Sequence, residues 1–174
     1  MRTATLTQTH PTTASRGGKY LTFALGKEEY GLEILKVREI IGFMEITVVP
    51  RTPAHVRGVI NLRGQVISVV DLRARFNMEA VEQTEQTCII VVEIHGQDGR
   101  PLSTGIVVDR VSEVLNIAGE NIEDSPEFGG AVDTDFIFGI GKVGKSVKIL
   151  LDIDKILCWH DAADSPPAGD PQAK

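Results

Sequence analysis

The sequence predicts an all-β protein, a barrel or sandwich of many short strands. Three observations carry this. Short runs of β-branched and aromatic residues alternate with period two between Gly-bearing turns. Helical spacing is confined to two brief stretches. An internal repeat presents the same order of strands and turns twice.

In chain order, residues 1–18 are Thr-rich, carry Pro11 and end in Gly17-Gly18, a composition expected of a disordered tail. Leu21, Phe23 and Leu25 then alternate with Thr22 and Ala24 as a strand, and Gly26-Lys27-Glu28-Glu29 breaks the run as a hairpin loop does. Ile34, Val37, Ile40 and Ile41 lie three or four apart, which suits one face of a short helix and nearly as well a bent strand. Further β-rich runs follow at Val59–Leu62, Gln65–Val70, Cys88–Ile94, Ser103–Val108, Phe136–Ile140 and Ser146–Leu151. Asp152 or Asp154 is placed to cap a short helix holding Ile153, Ile156 and Leu157. Residues 161–174, with prolines among Asp, Ala and Gly, are expected to form a second disordered tail.

The repeat aligns Gly31–Ile41 with Gly105–Leu115 without gaps, 74 positions on, with Gly, Val and Glu recurring at identical places. Gly58 and Asp71 correspond to Gly139 and Asp152, 81 positions on, each pair bracketing a Gly-turn hairpin. Two related β units are therefore expected, at residues 19–83 and 84–160, with intertwining left open.

Charge and composition limit the function. A formal charge of -6, with 18 Lys+Arg against 24 Asp+Glu and no basic cluster, argues against nucleic acid and anionic lipid as partners. No apolar run reaches membrane-spanning length, and no apolar stretch follows Arg2 as in a secretory signal, so a cytoplasmic protein is expected. Cys88 and Cys158 lack any zinc spacing and read as small buried hydrophobes. His10, His55, His95 and His160 form neither a metal set nor a triad by spacing, and the Glu-rich stretches read as solvated turns, so no cofactor or metal is implied. One catalytic pattern matches: Gly139-Ile140-Gly141-Lys142-Val143-Gly144-Lys145-Ser146 has the form of a phosphate-binding loop. That loop must open a helix, yet Ser146–Leu151 reads as a strand, so a hairpin turn is expected and nucleotide binding is the remote alternative.

Taken together, Tyr20–Gly31, Ile34–Gly42, Thr52-Pro53, Gly58–Gly64 with its Asn-Leu-Arg-Gly turn, and Val69–Arg73 resemble the CheW family of bacterial chemotaxis coupling proteins. The resemblance resumes at Gly105–Val111 and Ser125–Phe128 and covers residues 19 to about 158. It implies two packed five-stranded SH3-like barrels and a non-catalytic adaptor. Such an adaptor bridges the cytoplasmic hairpin tip of chemoreceptors to the regulatory domain of the histidine kinase CheA in membrane-associated arrays, and can self-associate in array rings. Carried over by position, the receptor groove between the barrels would hold Ile34, Val37, Glu39, Gly58, Arg63, Val111 and Val114. Kinase and ring contacts would use barrel ends, with Pro126, Glu127 and Phe128 the candidate segment. Ser68 stands where many relatives have proline, and Glu123 where a basic residue is common in the presumed ring contact. A coupling role in another chemosensory system, such as twitching motility, is the alternative reading. Val37 pairs with Val111 in the repeat and Ile40 with Val114, so the four either line a shared seam or fill barrel cores.

Overall fold

A computed structural model describes residues 16–96, 98–124 and 136–157. Strands dominate: β1 (Gly18–Leu25), β2 (Glu28–Glu33), β3 (Val37–Gly42), β4 (Val56–Leu62), β5 (Gln65–Asp71), β6 (Cys88–His95), β7 (Pro101–Val108), β8 (Arg110–Ile117), β9 (Ile122–Glu123), β10 (Ile137–Val143) and β11 (Ser146–Leu151). Two short helices, α1 (Leu72–Arg75) and α2 (Ile153–Leu157), each follow the last strand of a repeat. The expected strands are present; Glu28 and Glu29, expected in a loop, open β2 because the turn needs only Gly26 and Lys27.

The strands form two sheets, in the orders β8-β1-β2-β11-β10-β9 and β3-β6-β7-β5-β4. Apart from the two-residue β9, the orders correspond strand for strand under the repeat. Each sheet takes the opening hairpin of one repeat and the later strands of the other: β1 and β2 join β8–β11, whereas β6 and β7 join β3–β5. A division at residues 83 and 84 therefore falls inside the second sheet, between α1 and β6, and does not separate the two sheets. Hydrogen bonding between edges, not sequence order, decides membership. Parallel pairing of β11 with β2 and of β5 with β7 joins the exchanged pieces.

Both sheets close by the same device, a chain that leaves one edge and returns at the other. After β3 the chain runs through Phe43–Ile46, and Thr47 exchanges two 2.9 Å backbone hydrogen bonds with Val59 of β4. After β8 a 3₁₀ turn at Gly119–Asn121 leads into β9, which pairs with β10. At both crossings the chain passes too close for a side chain: a Cβ on Gly58 would stand 2.0 Å from the Thr47 carbonyl oxygen, and one on Gly139 would stand 2.8 Å from Ile122 Cγ2. The recurring Gly58 and Gly139 thus mark barrel closure.

Three apolar cores result. Ile60, Ile67, Val69, Ile89, Val91 and Val107 fill the second barrel, and Tyr20, Ile117, Ile122 and Leu150 fill the first. The largest core is the seam, where Leu21, Phe23 and Leu25 of the first sheet meet Ile90, Val92 and Ile106 of the second, with Ile153 and Ile156 of α2 beside them. Each such side chain stabilises by roughly 1.5–3 kcal/mol when buried, so the barrels depend on each other for folding. Phe23, Tyr30, Phe76 and Phe136 stack in succession along this seam, with ring centroids 5.1–5.9 Å apart.

Arg16 to Gly18, expected in the disordered N-terminal tail, are part of the fold instead. Gly18 begins β1, and Arg16 donates to the Phe138 carbonyl at 3.0 Å and pairs with Asp124 at 2.6 Å, because its guanidinium lies between β10 and the end of β9. The remaining tail residues, with His10, Cys158 and His160, are outside the described residues.

Candidate partner-binding surface

β3 and β8 are the outer strands that the repeat equates, each at an edge of its sheet. On β3, Val37 lies opposite Val92 and Ile40 opposite Ile90, while Glu39 and Ile41 face Val91 and Ile89. Directly opposed residues share a face of the sheet. Val92 and Ile90 belong to the seam core, and Val91 and Ile89 to the barrel interior. Val37 and Ile40 therefore face the seam, one strand beyond its core.

Three-residue spacing on one face is foreign to a regular strand and comes here from a bulge between Val37 and Glu39. β8 repeats the device. Val111 lies opposite Phe23 and Val114 opposite Leu21, both seam residues, with the register slip between them. The buried Thr22 hydroxyl fills that slip, donating to the Glu113 carbonyl at 2.8 Å and accepting from the Glu113 amide at 3.2 Å. The helix-like spacing of Ile34–Ile41 resolves into a 3₁₀ turn at Ile34–Lys36 followed by a bulged strand.

Ile34, Val37 and Val111 are half-buried against the seam core, whereas Ile40 is 45% and Val114 50% exposed. The row thus begins in the core and emerges into solvent on both barrels. Ile40, equated with Val114 by the repeat, belongs to the row although the family resemblance did not place it in the groove.

Arg63 and Glu39 pair at 2.9 Å on the β3 side. The Asn61–Gly64 turn sets Arg63 at a left-handed φ of 53°, and the Asn61 side chain accepts from the Gly64 amide at 2.8 Å. With Arg63 75% exposed, the pair contributes at most about 1 kcal/mol to stability, and most guanidinium donors face solvent. Gly58 is buried beneath Thr47, so its place in the fold is explained by closure and it does not join the exposed row. Pro126, Glu127 and Phe128 lie outside the described residues. Glu123 pairs with Lys142 at 2.6 Å.

A second concave surface escaped the sequence reading. An open cleft of about 690 Å³ is lined by Phe43, Met44, Ile46, Val48 and Arg57, with the Arg57 guanidinium 5.7 Å above the Phe43 ring. Its apolar residues sit in the closing segment, where neither strand nor helix periodicity applies; the Val48-Val49 pair before Pro50 was the available signal, and Val48 is exposed. Phe43, Met44 and Ile46 pack on the second barrel's own core, not on the seam.

Residues 139–146 span β10, a turn at Gly144 and the start of β11, with the Ser146 hydroxyl donating to the Val143 carbonyl at 3.0 Å. The glycines belong to a hairpin and no helix begins there. Among the described residues no group of three His, Cys, Asp or Glu side chains is arranged to hold a metal ion, and no helix is long and apolar enough to cross a membrane. Cys88 is half-buried and burial pushes its thiol up, away from thiolate chemistry.

Residues 19–160 match the CheW-like domain family. The chain is 42% identical over 147 residues to chemotaxis protein CheW of Klebsiella aerogenes, covering 84% of this chain and 86% of that one. It is 34% identical to chemotaxis protein CheW of Bacillus subtilis, covering 79% of this chain and 83% of that protein. The crystal structure of the scaffolding protein TtCheW from Thermoanaerobacter tengcongensis superimposes with a TM-score of 0.72 at 36% identity, covering 80% of this chain and 92% of that chain.

Proposed function

Because the chain belongs to the CheW-like family of chemotaxis scaffold proteins, we propose that it is a non-catalytic adaptor coupling the cytoplasmic hairpin tips of chemoreceptors to the regulatory domain of the histidine kinase CheA. The observation that carries this is the apolar row on the seam-facing edges of β3 and β8. Val37, Ile40, Val111 and Val114 would form two walls of one groove, floored by the seam core. A helical hairpin offers side chains at i, i+3 and i+4 that such a groove can receive. Arg63, with donors free beyond its bond to Glu39, gives the rim a polar contact that can fix the register of an incoming helix. The kinase would dock elsewhere, at barrel ends; the Phe43–Val48 cleft and the Pro126–Phe128 segment are the candidates. Bound to both partners, the adaptor would be a cytoplasmic protein held at the membrane through the receptors.

The test is co-purification with the native receptor fragment and kinase. A ternary complex in which receptor and kinase do not compete supports the adaptor. Competition for one surface, or capture of neither, contradicts it. The same experiment with receptor and kinase of a second chemosensory system identifies the array that the chain serves.

A further inference from the structure

The segments that deliver the chain into β3 and β8 cross between the barrels, and each is tied by an ion pair to the helix that ends the other barrel. Lys36 closes the 3₁₀ turn before β3, and its ammonium lies 2.5 Å from Asp154 of α2, which follows β11 of the first sheet. Asp109 separates β7 from β8, and its carboxylate takes two hydrogen bonds from Arg73 of α1, which follows β5 of the second sheet, at 2.8 and 2.5 Å. Both pairs therefore bridge the seam. Arg73 and Asp154 stand 81 positions apart, the spacing that relates the later strands of the two repeats. Lys36 and Asp109 lie within one position of correspondence under the 74-residue spacing of the earlier part.

The two acids also hold equivalent hairpins. Asp109 accepts from the Gly26 amide at 2.7 Å, at the β1–β2 turn, and Asp154 accepts from the His95 amide at 3.2 Å, at the end of β6. All four side chains are at most about one-third exposed, so these contacts are less screened than surface pairs. The Arg73 guanidinium holds the Asp109 carboxyl below its usual range, and the bond to Asp154 raises Lys36.

The polarity is reversed between the two. In one the helix supplies the cation and the crossing segment the anion; in the other the helix supplies the anion. Pairing each helix with the crossing segment of its own repeat would set Arg73 against Lys36 and Asp154 against Asp109, both repulsive. Only the exchanged arrangement joins opposite charges. We propose that Lys36–Asp154 and Arg73–Asp109 are a matched pair of clamps that select the exchanged pairing of the repeats and position β3 and β8 for partner binding.

The spacing along the chain makes this direct. Lys36 immediately precedes Val37, and Asp109 stands two residues before Val111, so a shift of either crossing segment passes into a wall of the groove. These are positioning residues, and their effect on binding rests on the groove reading given above.

The experiment uses the full chain with Cys88→Ser and Cys158→Ser, spin-labelled at Ile40→Cys and Val114→Cys, whose native side chains are about half exposed. Interlabel distances are compared for the otherwise native protein, Lys36→Asp, and Lys36→Asp with Asp154→Lys. The single reversal is expected to shift or broaden the distribution, and the charge-swapped double variant to restore it. Receptor-fragment affinity, measured on the same charge variants with native Ile40 and Val114 and no labels, should fall about tenfold in the first and recover in the second. A folded single variant with unchanged distances, or a double variant that restores nothing, overturns the clamp. If Lys36→Asp does not fold, Lys36→Met takes its place, and a folded Lys36→Met protein with unchanged distances overturns the clamp. Distances that respond while receptor affinity does not would support the clamp and overturn the groove.

Discussion

Replacing Gly58 by alanine tests how the second barrel closes. The new Cβ would lie 2.0 Å from the Thr47 carbonyl oxygen and 2.7 Å from its carbon, both backbone atoms, so one strand must move. Movement breaks the two 2.9 Å hydrogen bonds between Thr47 and Val59, a loss of about 1–3 kcal/mol for the two together. Gly58 also sits at φ +144°, where a residue with a side chain adds strain of about 1–3 kcal/mol. The expected destabilisation is about 2–6 kcal/mol, or roughly 4–24 °C in Tm for a chain of this size. Urea unfolding measures the first quantity, and amide exchange at Thr47 and Val59 locates it. Gly139→Ala should cost less, since its nearest obstacle is the Ile122 side chain at 2.8 Å and no positive φ is required. A Gly58→Ala protein within about 0.5 kcal/mol of the parent, with both amides still protected, refutes this account of closure.

Burial pushes the Tyr20 phenol up to about 12 and raises Tyr30 as well. With the folded pKa of Tyr20 above the ordinary 10.0, its contribution to stability is complete below pH 10 and is lost as pH rises toward 12. Tyrosinate absorbance should therefore show no step at the ordinary pKa while the protein is folded, and such a step would contradict the burial. For Asp109 the sign is opposite: its depressed folded pKa gives stability present above the ordinary 3.8 and lost as pH falls through the lower value. Arg73→Leu should accordingly move the acid-unfolding midpoint to higher pH, and an unmoved midpoint denies the pair that role. Lys145→Ala, in an exposed hairpin turn, should leave stability within about 0.5 kcal/mol. Calorimetry with ATP should be flat for both proteins; saturable binding that vanishes in the variant would restore the nucleotide reading.

Much of the fold was readable because turns and strands are local. Asn61-Leu62-Arg63-Gly64 encodes its own hairpin through the left-handed Arg63 and the Asn61 side chain. The exchange of hairpins was not readable. Cys88–Ile94 is apolar on both faces because one face fills the seam and the other the barrel, so alternation cannot assign either. The 74- and 81-residue spacings pointed to two units, but which hairpin joins which sheet depends on pairings far apart in sequence, such as β5 with β7. At the surface, Val37 and Ile40 looked helical because a bulge puts residues three apart on one face, and a bulge has no periodic signature. Gly58 was assigned to the groove by family resemblance, whereas its geometry is explained by a neighbouring backbone that no local pattern encodes.

A receptor hairpin seated on the seam-facing edges of β3 and β8 must pass over Val114, where Val114→Lys places a charge. Val114 is 50% exposed, so the lysine can extend into solvent in the free protein and stability should change by no more than about 1 kcal/mol. A receptor helix seated on that row would have to bury an unpaired ammonium, at a cost of several kcal/mol, and affinity should fall by at least about a hundredfold. The measurement is a pair of binding isotherms on the folded variant, one with the receptor fragment and one with the kinase regulatory domain. Receptor binding lost with kinase binding intact is the predicted result; unchanged receptor binding, or equal loss of both, contradicts the groove.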